Sequence, residues 1–228
     1  MRVATIIPAL NEAASLPEVL AAIPSGVRVV VADNGSTDGT PAIAEAGGAT
    51  VVNEPRRGYG AAVAAGLTAL RADPPDVVVV LDGDGSADLA DLPALLAPIA
   101  ANEADLVIGD RTRRAAAGSL TAAQRAGNLL ACSWISAYAA RRGHPHRPRD
   151  LGPFRAARWG ALMDLGLVDP TWGWNVEMHL KAVRVGLRIA EVPVAWHPRT
   201  AGTSKISGDL RGAARAGVRV LEACWRYA

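Results

Sequence analysis

The sequence predicts a three-layer α/β sandwich around a mainly parallel sheet, and three observations carry that prediction. Short β-branched runs alternate with alanine-rich helical stretches through residues 1–110. The runs are continuously apolar instead of alternating, which is the pattern of strands buried on both faces. Each intervening stretch is long enough for a crossover helix, so the order reads βαβα. With 228 residues and 50% hydrophobic content, the chain is long enough to bury about 70% of its unfolded surface. Apolar residues spread along its length exclude a disordered tail.

Taken in order, strands are expected at Val3–Ile7, Val27–Ala32, Thr50–Asn53, Val77–Leu81 and Leu106–Ile108. Between them, Leu16–Ile23, Thr40–Ala46, Gly60–Ala72 and Asp91–Ala100 are the expected helices. The pattern changes after Gly109. A long helix is expected at 121–140, then the Arg/His/Pro stretch 141–150. A short strand at Gly152–Arg155, a helix at Trp174–Val185 and a strand at Leu187–Val192 then form a second, smaller part. Residues 198–208 are turn-rich. From Leu210 to Tyr227 the spacing is helical, with Leu210, Ala214, Val218, Leu221 and Trp225 on one side and Arg211, Arg215, Arg219 and Arg226 on another. That helix either packs with its polar side wet, the preferred reading, or lies on an anionic bilayer surface. Met1 leads straight into an apolar strand with no leader pattern, and no apolar run approaches the roughly 18 residues of a membrane span. Cys132 and Cys224 are too few for a disulfide scaffold. These features read as a soluble, cytoplasmic protein.

The near-neutral total hides a segregation of charge. Residues 1–110 carry 15 acids and 5 bases, whereas 111–228 carry 7 acids and 19 bases. The densest basic stretch runs from Arg141 to Arg158 and contains His144 and His146. Nucleic acid is not the expected partner, because the acidic half opposes a long polyanion and the aromatics do not interleave as a stacking platform. The two histidines lack a third nearby ligand for zinc. No GxGxxG or GxxxxGK[ST] occurs, which argues against dinucleotide cofactors and P-loop ATPases.

Ligand chemistry in open α/β sheets gathers beyond the carboxyl ends of the strands. After the second strand stands Asp33-Asn34-Gly35-Ser36-Thr37-Asp38, readable as a capped turn or as a site where Asp33 accepts hydrogen bonds from a base or ribose. After the fourth stands Asp82-Gly83-Asp84. Two carboxylates one residue apart can converge on a hard cation, with glycine leaving the backbone free to turn. Such a cation would neutralise a diphosphate leaving group. Asn11-Glu12 and the Arg57–Gly60 turn are weaker nucleotide-pocket candidates. Trp172-Gly173-Trp174 can wall a pocket, with Glu177 on the first turn of the following helix, or can be ordinary packing beside a carboxylate favourable to the helix dipole. Arg199, Ser204 and Lys205 form a loop suited to phosphate capture.

Assembled in order, IPALNEAASLPEVL at 7–20, VADNGSTDGT at 31–40, NEPRRGYGAA at 53–62, LDGDGSADLADLP at 81–93, IGDR at 108–111, GWNVEM at 173–178, EVPV at 191–194 and RTAGTSKISG at 199–208 resemble the family 2 glycosyltransferases of the GT-A fold, and among them the dolichol- or polyprenyl-phosphate sugar synthases. The resemblance implies a nucleotide-diphosphate sugar donor and Mg2+ or Mn2+. It implies that Pro8, Leu10, Asn11, Glu12, Asp33, Asn34 and Gly60 line the nucleotide site, with Asp82 and Asp84 as the metal pair around Gly83. Arg111, Trp174, Arg199, Ser204 and Lys205 then face the acceptor or its phosphate. Asp150 and Arg155 fall in a stretch similar to the family's Asp-x-x-Gly-Phe-Arg, interrupted here by Pro153. Asp150, Glu177 and Arg155 are the implied catalytic residues. The implied division is one GT-A unit over 1–228: a nucleotide-sugar and metal half at 1–110, an acceptor half at 111–208 and an amphipathic helix at 209–228.

The favoured expectation is inverting hexosyl transfer to a polyprenyl phosphate, with peripheral contact to an anionic membrane surface. The alternatives are transfer to a soluble alcohol, for which Asp150 or Glu177 would remove a proton, and a catalytically silent nucleotide-sugar binding module.

Overall fold

The computed structural model describes residues 1–199 and 210–228. Along the chain run β1 (Val3–Ala9), α1 (Leu16–Ala22), β2 (Arg28–Asp33), α2 (Thr40–Ala46), β3 (Thr50–Asn53), α3 (Tyr59–Ala69) and β4 (Val77–Val80). A 3₁₀ turn at Leu89–Asp91 leads into α4 (Leu92–Ala100), followed by β5 (Leu106–Ala115), α5 (Ala122–Arg141), β6 (Arg155–Arg158) and α6 (Trp159–Asp164). The last elements are α7 (Trp174–Arg184), β7 (Ile189–Trp196) and α8 (Leu210–Tyr227). The strands form one sheet in the order β3-β2-β1-β4-β6-β5-β7. All neighbours are parallel except β6, which is antiparallel to both β4 and β5.

Strand β4 shows why the sheet is covered on both faces. Val77 and Val79 pack with Leu16, Leu92 and Leu95 in one layer, and Val78 and Val80 pack with Val63, Leu67 and Met178 in the other. Each of the four valines is at most 2% exposed, so each contributes about 1.5–3 kcal/mol of burial. Proline in the first turns of α1, α2 and α4 pre-sets the backbone where its missing N–H costs nothing. Helix α5 opens on a capping box between Thr121 and Gln124, which satisfies two otherwise orphaned donors.

The second half departs from expectation in four ways. Strand β5 runs on to Ala115 with a register shift between Asp110 and Arg114. The strand expected at Gly152–Arg155 forms at Arg155–Arg158 instead, because its partners β4 and β5 set the register rather than local propensity. The strand expected in a separate smaller part is β7, which joins the same sheet beside β5. Finally, the terminal helix docks through Val220, Ala223, Cys224 and Tyr227 against α5 and α7. Val218, Leu221 and Trp225, the expected packing stripe, are 54%, 49% and 79% exposed. Among the described residues, no helix is long and apolar enough to cross a membrane.

Candidate active site

Parallel register brings the ends of β1 and β2 level, with Ala9 opposite Asp33, so the loops that follow them meet. Asn11 adopts a positive φ of 53°. Its N–H donates to Ser36 Oγ at 2.8 Å, and its Oδ1 accepts the Thr37 N–H at 2.7 Å. The Asp33 carboxylate accepts the N–H groups of Gly35 and Ser36 at 3.2 and 3.1 Å. Asn34 donates to the carbonyls of Glu54 and Arg56 and accepts the Gly58 N–H, tying the β2 loop to the start of α3. Pro8 and Leu10 are half-buried at the same strand end. At Gly60 a Cβ would run into the Asp169 carbonyl oxygen. Its missing side chain therefore serves the docking of α3 against 169–171.

The acidic turn after β4 lies beside these loops. Ser15 Oγ donates to the Gly83 carbonyl at 2.8 Å, and a Cβ on Gly83 would stand only 3.1 Å from Ile7 Cγ2. The Ser86 carbonyl accepts the His197 N–H at 2.8 Å, and Ala87 bridges to Trp196. These contacts carry the turn to the end of β7 and bring the two charge-segregated halves together. Asp84 Oδ1 accepts the Ser86 N–H at 2.9 Å, while Oδ2 lies 3.1 Å from Arg199 Nη2. The same nitrogen is 3.0 Å from Glu12 Oε1. Burial, and then the neighbouring Asp84 charge, hold the Asp82 carboxyl well above the usual carboxylate range, against the pull of Arg111 and Arg199. A crowded pair of hard oxygen donors suits a divalent cation, which would relieve that repulsion. Among the described residues no group of three or more His, Cys, Asp or Glu could hold a metal ion. Asp82 and Asp84 would hold a cation only in part, and the remaining ligands would have to come from a bound diphosphate or water.

The opposite wall is basic. Arg111 grips Asp150 through Nε and Nη2, both at 2.7 Å, and its backbone N–H adds a third bond at 2.8 Å. The Arg111 guanidinium stands 5.0 Å over the Trp196 ring. Trp196 was not foreseen as a site residue, and the signal for it was its place at the end of the EVPV strand.

The three expected catalytic residues are placed differently from their expected roles. Asp150 is 1% exposed and both its oxygens are engaged by Arg111, so it is the ion-pair partner of that guanidinium. Glu177 is fully buried, accepts the N–H groups of Val168 and Asp169, and pairs with Lys181 at 2.7 Å. Arg155 is interior: it donates to the carbonyls of Leu151, Gly152 and Asn175 and contacts His179 Nδ1 at 3.3 Å. Burial lowers its pKa to about 10, so it stays charged near neutrality. Trp174 is 2% exposed and packs edge-on against Tyr59 at 6.2 Å, a core contact more than a pocket wall. Ser204 and Lys205 lie outside the described residues.

Comparison with known proteins places this geometry in context. The model of the family described as "Glycosyl transferase family 2" matches residues 4–159. An uncharacterized glycosyltransferase of Mycobacterium tuberculosis is 46% identical over 92% of this chain and 92% of its own. An undecaprenyl-phosphate mannosyltransferase of Micrococcus luteus is 34% identical over 94% of this chain and 91% of its own. Among solved structures, glucosyl-3-phosphoglycerate synthase from M. tuberculosis in complex with Mn2+, UDP-glucose and phosphoglyceric acid superposes with a TM-score of 0.72, at 25% identity. That match covers 98% of this chain and 80% of the other. The GT-A sandwich and the glycosyltransferase assignment stand. The expected kinship with polyprenyl-phosphate synthases and the expected lipid acceptor are corrected: a structural counterpart over 98% of the chain is an enzyme in complex with phosphoglyceric acid.

Proposed function

Because the chain belongs to glycosyl transferase family 2, we propose that it transfers glucose from UDP-glucose, with Mn2+ or Mg2+, to a small soluble acceptor that carries phosphate and carboxylate groups and a free hydroxyl. The observation that carries this reading is the meeting of Asp82 and Asp84 with Arg199 and Arg111 at the ends of β4, β5 and β7. Carboxylates there suit a cation–diphosphate, and guanidiniums beside them suit an anionic acceptor. The synthase structure with UDP-glucose and phosphoglyceric acid supports the donor and acceptor classes.

In this reading Asp82 and Asp84 hold the cation, which, when bound, neutralises charge on the departing diphosphate. Asn11, Glu12 and Asp33 line the nucleotide end. Arg199, which spans Glu12 and Asp84, exchanges those carboxylates for ligand oxygens. Arg111 orients the acceptor anion, its fork fixed by Asp150 and its plane by Trp196. Asp150 and Glu177 act as positioning residues, the first for Arg111 and the second for the chain at 168–169. Holding acceptor and donor together in this orientation lowers the barrier by removing translational freedom before the reaction. The bond from the anomeric carbon to UDP breaks as the acceptor hydroxyl oxygen bonds that carbon, and the hydroxyl proton would pass to the departing diphosphate, since Asp150 and Glu177 are already engaged.

The test is product formation from UDP-glucose and 3-phosphoglycerate, with and without Mn2+, beside a polyprenyl phosphate as competing acceptor. Release of UDP with a water-soluble glucosylated acid is expected. Label entering only the lipid fraction, or no metal-dependent turnover with either acceptor, overturns the reading.

A further inference from the structure

Between the segment from His144 to Arg149 and the start of β7 lies an open groove of about 770 Å³. His144, His146, Arg147, Arg149, Arg188 and Glu191 line it, and none of Asn11, Glu12, Asp82, Asp84 or Arg199 does. Its volume falls within the range of small-molecule sites, about 300–1,000 Å³.

The charges around this groove do not balance. Arg188 is committed to Asp105 at 2.7 Å. The Glu191 carboxylate accepts the N–H groups of Arg149 and Asp150 at 2.8 and 3.4 Å. His144 faces the Leu187 carbonyl through Nε2 at 2.9 Å and the His146 N–H through Nδ1 at 3.1 Å, which puts its proton on Nε2. Arg147 spends Nη1 on the carbonyls of His144 and His146 and, among the described residues, meets no carboxylate. The Arg149 guanidinium has no hydrogen bond or ion pair among the described residues. His146 is 7% exposed, and its buried Nε2 has no hydrogen-bond partner among the described residues. Among the described residues, two exposed guanidiniums without a carboxylate partner thus flank one concavity, and His146, stacked on the buried His179 at 5.6 Å, lies beneath them. An isolated buried polar atom costs stability, and arginine forks match the oxygens of phosphate.

We propose that this groove binds a phosphate-bearing anion, at a site separate from the donor and acceptor cleft. Arg147 and Arg149 are its recognition groups and His146 closes its inner wall. The proposal does not rest on the identity of the acceptor.

Isothermal titration of the full chain with inorganic phosphate tests it, with the groove and cleft variants run in parallel. Wild type should bind saturably at millimolar concentration, about 4 kcal/mol. Arg149→Gln should weaken binding roughly fivefold, and the Arg147→Gln/Arg149→Gln pair at least tenfold (about 1.4 kcal/mol). Arg199→Gln alters only the cleft, so it should affect at most a second, cleft-borne phase of binding and leave the phase that depends on Arg147 and Arg149 unchanged. Arg149→Lys should restore part of the affinity, since it keeps the charge and loses only the fork. Co-sedimentation with phosphatidylcholine vesicles, with and without phosphatidylglycerol, separates the sources. Phosphate binding without sedimentation indicates a soluble ligand, and sedimentation that requires both phosphatidylglycerol and the two arginines indicates a lipid headgroup. No saturable binding of either probe, isotherms that the double substitution leaves wholly unchanged, or loss of the Arg147- and Arg149-dependent phase in Arg199→Gln overturns the proposal.

Discussion

Replacing Asp150 by asparagine separates a positioning carboxylate from a base. The wild-type carboxylate takes three bonds of 2.7–2.8 Å from Arg111, with side-chain exposures of 1% and 15% for the pair. Asparagine keeps the volume and one acceptor oxygen. That oxygen can serve the two groups now sharing Oδ2, but the amide NH2 then faces Arg111 Nη2, donor against donor. Removing one partner of a buried pair costs about 3–5 kcal/mol, and the retained oxygen brings the expected loss to about 3 kcal/mol. For a chain of this size each kcal/mol lowers Tm by about 2–4 °C, so calorimetry should show a fall of roughly 6–12 °C. If Asp150 acts through Arg111, steady-state kinetics at a temperature where the variant is folded should show the acceptor KM raised roughly tenfold, about 1.4 kcal/mol, with kcat within threefold. Arg111→Lys, which loses the fork and keeps the charge, should show the same split. A base would behave otherwise: its loss lowers kcat by about 10²–10⁴ and removes one limb of the pH–rate profile. That pattern, with KM unchanged, would refute the positioning argument.

Three further expectations follow from other parts of the molecule. Asp84→Asn should lower Mn2+-dependent turnover at least 100-fold while the far-UV circular dichroism stays native, and turnover within tenfold of wild type removes Asp84 from the cation site. Burial first, then His144 and Arg147, hold His146 down to about 4 from 6.5, and His179 is lowered by burial and by Arg155 and His146. The unfolded imidazoles therefore take up protons first, so their contribution to stability is full above pH 6.5 and drains as pH falls toward 4. His146 alone should cost about 2 kcal/mol between pH 7 and 5, read as a falling urea midpoint in phosphate-free buffer, and His146→Phe should flatten that slope. Gly60→Ala, whose Cβ would meet the Asp169 carbonyl, should destabilise by about 1–3 kcal/mol, and an unchanged Tm would show that the start of α3 shifts freely.

How much of this was legible in the sequence depends on whether the information was local. Strands β1 to β4 were readable because continuous runs such as Val77–Val80 need burial on both faces, and Asp82-Gly83-Asp84 was readable because it follows such a run. Strand β6 is Arg-Ala-Ala-Arg, with no local strand preference, and it exists only because β4 and β5 offer it edges. The roles of Asp150 and Glu177 were not legible for a related reason. A carboxylate beside arginine and tryptophan in sequence looks the same whether it faces a ligand or is saturated by N–H groups from distant chain. In α8 the sequence contains two apolar arcs, and only the fold of α5 and α7 shows which one they cover. The charge segregation was legible but its meaning was not. Arg114–Asp91, Arg158–Asp105, Arg188–Asp105, Arg199–Glu12 and Arg199–Asp84 all join a base of the second half to an acid of the first. Exposed pairs such as Arg114–Asp91 add little stability individually. Their common direction instead means that the two halves attract across the β4–β7 end of the sheet. Among the described residues the cation at Asp84 is Arg199, and because it also reaches Glu12, a donor diphosphate entering with its cation must displace one guanidinium from two carboxylates at once. Donor affinity should therefore rise in Arg199→Gln if that displacement outweighs lost phosphate contacts, and fall if it does not. The sign of that change, measured by calorimetry with UDP and Mn2+, ranks the two roles of this side chain.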